Sequence, residues 1–337
     1  LSFLTDYTNR KHIFWANDGV VSANYQIKFF PQKATGTDSG EHVHLGTNVQ
    51  DDFDDFRLTK GDGTTLLDQW EESVVSATTA YYWGEIHKVG SSLLASDGAI
   101  DDNHVHVNAG TVFAADDWIV IASDDAPAGE LYQISSVATN QLNLTSNLTA
   151  NHTTANNAKA AHCAYMYYKN DAATLESNGA NTFIFHDDFP GSSIDTNKWQ
   201  GDTASASVSG GTMSFAHAAG WKLMYGKTNG AGDFAIRFKA NIPGETYSYY
   251  QVGLGDADVS DNALFWTNEN VASLACAKEG TSTTASSNWT KASNLIFDII
   301  RKSSATARVN YYQSGAEVSN SPLTTNVPTI DLACAFR

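Results

Sequence analysis

His186–Trp199 reads HDDFPGSSIDTNKW, and how this stretch is understood decides how the chain divides. Pro190-Gly191 supplies a turn, because proline presets φ and glycine enters backbone regions closed to other residues. Two aspartates precede the turn, and Trp199 follows with a large apolar area to bury. Just upstream, Phe183–Phe185 is short and apolar and reads as a strand. Further back, AYMYYKND (Ala164–Asp171) ends one β-rich segment. After Trp199 a second run of alternating strands continues to Arg337. The stretch is a junction between two β-rich parts.

The rest of the chain agrees with that division. Its 337 residues exceed what one ordinary core organises, so two or three domains are expected. Hydrophobic residues make up 42% and charged residues only 17%, with 14 Tyr, 16 Phe and 8 Trp. Aromatic and β-branched side chains pack on pleated faces, and small polar residues make turns. This is the makeup of an all-β extracellular, cell-surface or virion protein. Intracellular helical enzymes carry more Lys, Glu and Leu. A net charge of −17 argues against nucleic acid, which demands clustered Lys and Arg. No run approaches the eighteen or so apolar residues of a membrane span, so no membrane insertion is expected.

Working back from the junction, strands are predicted at Tyr7–Trp15, Asn24–Phe30 (stopped by Pro31) and Thr78–Ile86. Asp51–Glu72 predicts a hairpin about Gly61-Asp62-Gly63, because a glycine-flanked Asp lies between two apolar runs. Four short strands are predicted at Asp102–Asn108, Trp118–Ala122, Glu130–Val137 and Gln141–Leu144. Beyond the junction, LIFDIIR alternates so that Leu295, Phe297 and Ile299 share a face, before a return into ARVNYYQ.

Three resemblances follow from these residues. YTNRKHI, NYQIKF, DDFRLTKGDGTTLLDQWEE, AYYWGEI and the closing YMYYKND resemble a family of β-sandwich domains of unknown function from secreted and surface proteins of archaea, bacteria and their viruses. ADDWIVIASDDAPAGELYQISSVATNQLNLTSNLTANH resembles a small β-barrel module of phage and other virion structural proteins, set into the first domain. DDFPGSSIDTNKW, GDFAIRFKANI, YYQVGLGD and NLIFDIIRKSSATARVNYYQSG resemble a concanavalin A-like, laminin-G-type jelly roll, with His186–Trp199 as its entry strand. The implied fold is all-β, with tandem β-sandwich domains. Residues 1–87 and 163–184 form a discontinuous N-terminal sandwich, 88–162 the inserted barrel, and 185–337 the jelly roll.

Catalysis is not expected. Glycosidases on the jelly-roll scaffold need two carboxylates close together on one strand, and Asp298 stands alone in IFDIIR. No Gly-X-Ser-X-Gly elbow is present. The expected function is a non-enzymatic structural or adhesive protein that assembles with copies of itself in a surface filament, sheath or virion appendage. A terminal strand added to a neighbour's sheet would join the copies. The alternative is a carbohydrate-binding module of a system that binds or degrades polysaccharides. Trp221, Tyr247, Tyr249 and Trp266 are the candidates for stacking on surface glycans. Each also fits a core role.

Calcium is the one cofactor expected. Asp256, Asp258 and Asp261 crowd a single loop, the resemblance places such loops at a calcium-bearing rim, and calcium takes six to eight oxygen ligands. The same residues also read as a solvated acidic loop, the plainer alternative. His42/His44 and His104/His106 have strand spacing for one face, but each pair lacks a nearby third metal ligand. Asn143, Asn147, Asn151 and Asn288 head glycosylation sequons, and the first three mark an exposed loop. Cys276 (SLACAK) and Cys334 (DLACAF) sit in matching strand contexts, as a disulfide or as two buried thiols.

Overall fold

The computed structural model describes residues 3–15, 22–215, 222–230, 232–242, 249–258, 260–268, 271–291, 294–302 and 306–337. Among them β-strands dominate, and the one α-helix spans four residues. The chain divides into two compact units, Leu1–His186 and Asp187–Arg337.

Unit 1 runs β1 (Asn9–Phe14), β2 (Ser22–Gln32), β3 (His42–His44), β4 (Arg57–Lys60), β5 (Gln69–Ser76), β6 (Thr79–Val89), β7 (Ser91–Leu93), β8 (His104–His106), β9 (Trp118–Ser123), β10 (Ala126–Ala138), β11 (Gln141–Leu144), β12 (Lys159–Tyr168) and α1 (Gly179–Thr182). A sheet ordered β3-β2-β6-β5 packs over β1, β4 and β12. Their shared core holds Phe29, Phe56, Leu58, Tyr82, Ile86 and Met166. The predicted hairpin is present: Thr59 bridges Leu66, and Lys60 N–H donates to Thr65 O at 2.8 Å.

β12 belongs to two sheets. Lys159–His162 pairs with β9, and Cys163–Tyr168 with β1; on the other edge, β7 gives way to β4. A long strand can do this because each half carries its own buried partners. The path β7-β12-β9-β10-β11-β8 wraps a second core that includes Val105, Ile119, Ile134, Leu142 and Ala160. A single bridge, Leu94–Val107, joins the path's ends, with Ala95 N–H donating to His106 O at 2.8 Å. The ladders themselves stay open, so the barrel expected here is a wrapped sheet with a one-bridge seam.

Unit 2 runs β13 (Trp199–Gly201), β14 (Ala206–Ser209), β15 (Thr212–Phe215), β16 (Met224–Gly226), β17 (Phe234–Ala240), β18 (Tyr249–Gly255), β19 (Asn262–Asn268), β20 (Val271–Lys278), β21 (Thr281–Ser286), β22 (Leu295–Lys302), β23 (Arg308–Gln313), β24 (Ala316–Glu317) and β25 (Ala333–Phe336). A seven-stranded sheet, β13-β16-β25-β18-β19-β20-β21, packs on a four-stranded one, β17-β22-β23-β24. Alternation puts Val252, Leu254, Phe265, Leu274, Phe297, Ile299 and Tyr311 in the core between them. The C-terminal strand β25 is hydrogen-bonded on both sides within its own sheet.

Gly253 is fixed by this packing. Its φ is +154°, and a Cβ there would stand 2.4 Å from Ala263 O and 2.5 Å from the Ile299 side chain. Gly253→Ala is expected to cost about 1–3 kcal/mol, read as a lower denaturant midpoint for unit 2.

The junction departs from the reading above. Phe183–Phe185 is not a strand: α1 ends at Thr182, and the Phe183 ring then lies 5.5 Å from Trp70 and 5.6 Å from Trp83. HDDFPGSSIDTNKW is loop until Trp199 starts β13. Asp187 organises that loop. Its carboxylate accepts the Trp199 indole N–H at 2.6 Å and the Phe189 N–H at 2.9 Å, and Lys198 lies 3.6 Å away.

Candidate ligand-binding sites

The outward face of the seven-stranded sheet is set by the same alternation that fills the core. If Val252 and Leu254 point in, Tyr249 and Gln251 point out; Trp266 lies opposite Gln251 on β19, with Leu264 two residues before it, and Ser273 and Ala275 pair with them on β20. Leu264 and Ala275 are small or compact, and they form a buried patch against which Leu223 and Trp266 pack. Gln251 and Trp266 are direct cross-strand partners. The Trp266 indole N–H and the Gln251 side-chain oxygen are both buried without a hydrogen-bond partner. An unpaired buried donor beside an unpaired buried acceptor is costly in a finished protein, and a bound polar molecule relieves the cost. Tyr249, 41% exposed, stands two residues from Gln251 on the same face.

Trp266 and Tyr249 therefore share one face, as a stacking site requires. Trp221 and Tyr247 lie outside the described residues. Gln251 has no sequence signature: an isolated Gln in a strand is unremarkable until its cross-strand partner is known.

The acidic loop is held together from within. Asp256 accepts the Ser260 hydroxyl at 2.9 Å and Asp261 N–H at 3.3 Å; Asp258 accepts Ser260 N–H at 2.9 Å; Asp261 accepts Glu279 N–H at 3.1 Å. The remaining oxygens of Asp256 and Asp261 are buried and unpartnered, while Asp258 is exposed. Among the described residues no three His, Cys, Asp or Glu side chains are grouped to hold a metal ion. Calcium takes six to eight oxygen ligands; here the three carboxylates accept hydrogen bonds from Ser260, Asp261 and Glu279. His104 and His106 stack edge to face at 5.3 Å.

The disulfide is corrected. All three cysteines are free and buried. Cys276, Ala263, Leu254 and Cys334 follow one another in a single register row, so two strands lie between the sulfurs. Three strand spacings are about 14 Å, and a disulfide needs Cα atoms within about 7 Å. Burial pushes the Cys276 thiol up to about 12, and raises Cys334 further. The sequons also separate: Asn147, Asn151 and Asn288 are exposed, but Asn143 is a half-buried residue of β11 whose amide donates to Ser136 Oγ at 2.9 Å.

Residues 148–202 match a family described as Domain of unknown function (DUF2341). The match includes β12 and the junction; of the five segments that carried the first resemblance it covers the closing YMYYKND. No curated relative matches the chain.

A second polar cluster, unsignalled in the sequence, lies in unit 1 where β12 changes sheets. Asp117 accepts Lys88 Nζ at 2.5 Å, His162 Nε2 at 3.1 Å and Ala114 N–H at 2.7 Å. Burial pushes the Asp117 carboxyl up, but these three donors outweigh it and hold it below the usual carboxylate range. The other ring nitrogen of His162 faces Gly90 O at 3.2 Å. Lys88, Asp117 and His162 line a cavity of about 470 Å³ with Lys60, His87, Asp116, Trp118 and Gln133.

Proposed function

We propose that the chain is a non-catalytic adhesive β-protein of an extracellular surface, and that unit 2 binds glycan on the outward face of its seven-stranded sheet. The observation that carries this reading is the Gln251–Trp266 pair, with an unpaired donor and an unpaired acceptor side by side on adjacent strands. A sugar hydroxyl both donates and accepts, so one hydroxyl can satisfy both atoms. An indole and a phenol nearby offer apolar faces to a pyranose ring. The described side chains of this face on β18, β19 and β20 include no carboxylate beyond the loop itself, which favours holding a sugar over cleaving one.

A glycan array followed by calorimetric titration of the best ligand tests the proposal. Trp266→Ala is expected to weaken binding at least about tenfold, which is about 1.4 kcal/mol. Because Trp266 also packs on Leu264, Gln251→Leu serves as a second variant of similar volume, with a comparable loss. Wild-type protein that binds nothing on the array would end this reading.

A further inference from the structure

We propose that the free edge of β21 is a self-association surface, through which two copies of the chain pair antiparallel about a two-fold axis at Thr283.

A strand at the end of a sheet presents backbone N–H and C=O groups without partners, and proteins blunt such edges with short strands, bulges, charges or proline. Most edges in this chain are blunted in one of these ways. β3, β7, β8 and β13 have three residues and β24 has two. The ribbon strands β14 and β15 stop at four. β1 carries Arg10 and Lys11, and β17 carries Arg237 and Lys239. β5 holds two glutamates and two register shifts, and its Glu71 N–H already donates to Ser177 Oγ at 2.9 Å. β21, TSTTAS, is different. It ends the seven-stranded sheet with six residues in unbroken register, none of them charged and none proline.

The ladder fixes which of its groups face outward. Ser287 N–H donates to Ala272 O at 2.8 Å, and the direction of the backbone groups alternates along a strand. Thr281, Thr283 and Ala285 therefore turn their N–H and C=O groups to β20, while Ser282, Thr284 and Ser286 turn theirs to the edge. Ser286 O already accepts the Asn320 side-chain amide at 2.5 Å. Among the described residues, nothing pairs with the backbone groups of Ser282 and Thr284.

What is left over is complementary to itself. With the axis at Thr283, Ser282 of one copy faces Thr284 of the other and exchanges both backbone hydrogen bonds with it, and the axis repeats the exchange. An axis at Thr284 would instead call on Ser286 O, which is occupied. The side chains agree with this register. Ser282 and Thr284 are exposed hydroxyl residues able to bond across the pair, and Thr281 would lie opposite Ala285, so no like charges meet. Each copy carries a net charge of −17, and an uncharged edge is where two such copies approach with least repulsion. Antiparallel pairing sets the axis perpendicular to the sheet, which keeps the outward faces of both copies on one side. Two Gln251–Trp266 faces would then meet one glycan surface together and gain avidity. That consequence rests on the glycan reading; the dimer does not.

The test is sedimentation equilibrium of the full chain without glycan, in about 0.5 M salt to screen the like charge. A short edge makes a weak, transient interface, so the apparent mass should rise from one chain toward two between about 1 and 100 μM. Thr284→Pro removes an N–H that faces the edge and takes no bond from the β20 ladder, and it should weaken association at least about tenfold. Ser282→Lys places a charge on the edge without touching the backbone, with a similar loss expected if Thr284→Pro folds poorly. Thr283→Cys should cross-link two copies on mild oxidation, because the axis sets the two residues opposite each other. A mass of one chain at every concentration, association that survives both Thr284→Pro and Ser282→Lys, or a dimer that Thr283→Cys does not cross-link would each overturn the proposal.

Discussion

Asp117→Ala is expected to lower the stability of unit 1 by about 3–5 kcal/mol, because it leaves a lysine and a histidine facing each other with no anion between them. The Asp117 side chain is only 9% exposed, so water cannot replace it in place. Lys88→Met/Asp117→Leu/His162→Phe together should cost less than Asp117→Ala alone, since the triple change removes every group that needs a partner. Urea unfolding followed by hydrogen exchange at the β12 amides reads both. The same carboxylate sets an acid limit. Its native affinity for a proton is below the unfolded value, so unfolding takes up a proton at low pH. Its contribution is therefore complete above about pH 4 and is lost as pH falls through the native pKa. The acid dependence of the urea midpoint should be shallower in the triple variant. An equal slope would separate Asp117 from the acid limit.

Trp199→Ala is the corresponding experiment in unit 2, with an expected cost of about 3–5 kcal/mol. Trp199 is 2% exposed, lies 5.9 Å from Phe189 in a stacked arrangement and 5.5 Å from Phe336 on the C-terminal strand, and donates to buried Asp187. Its loss empties a space that Leu or Phe side chains cannot fill by small shifts. It also strands the Asp187 carboxylate, whose side chain is 3% exposed. Trp199→Phe keeps most of the packing but removes the indole donor, and should recover more than half of the loss.

How much of this was readable beforehand depends on the range of the interactions involved. Gln141–Leu144 and the alternation in Leu295–Lys302 were legible because the period of a strand is local and each residue's face follows from its neighbours. Phe183–Phe185 misled because apolar content alone does not distinguish a strand from a chain pinned by two tryptophans, Trp70 and Trp83. The matching contexts of Cys276 and Cys334 were real, since both are strand residues in one row, but sequence gives no count of the strands between them. The crowding of Asp256, Asp258 and Asp261 was visible; their use as fasteners for loop N–H groups was not. Lys88, Asp117 and His162 meet across separations of 29 and 45 residues. Only the switch of β12 between sheets brings them together. Gln251 and Trp266 were hidden for the same reason: their pairing is a matter of register.

That pairing is also where the functional account is most exposed. In ¹⁵N-labelled protein, the Trp266 indole N–H resonance, assigned by its disappearance in Trp266→Phe, can be followed while the best array glycan is titrated. The account predicts that this resonance moves with saturation and that the Gln251 side-chain amide moves with it. Glycan binding that shifts other resonances and leaves the Trp266 indole in place would contradict it.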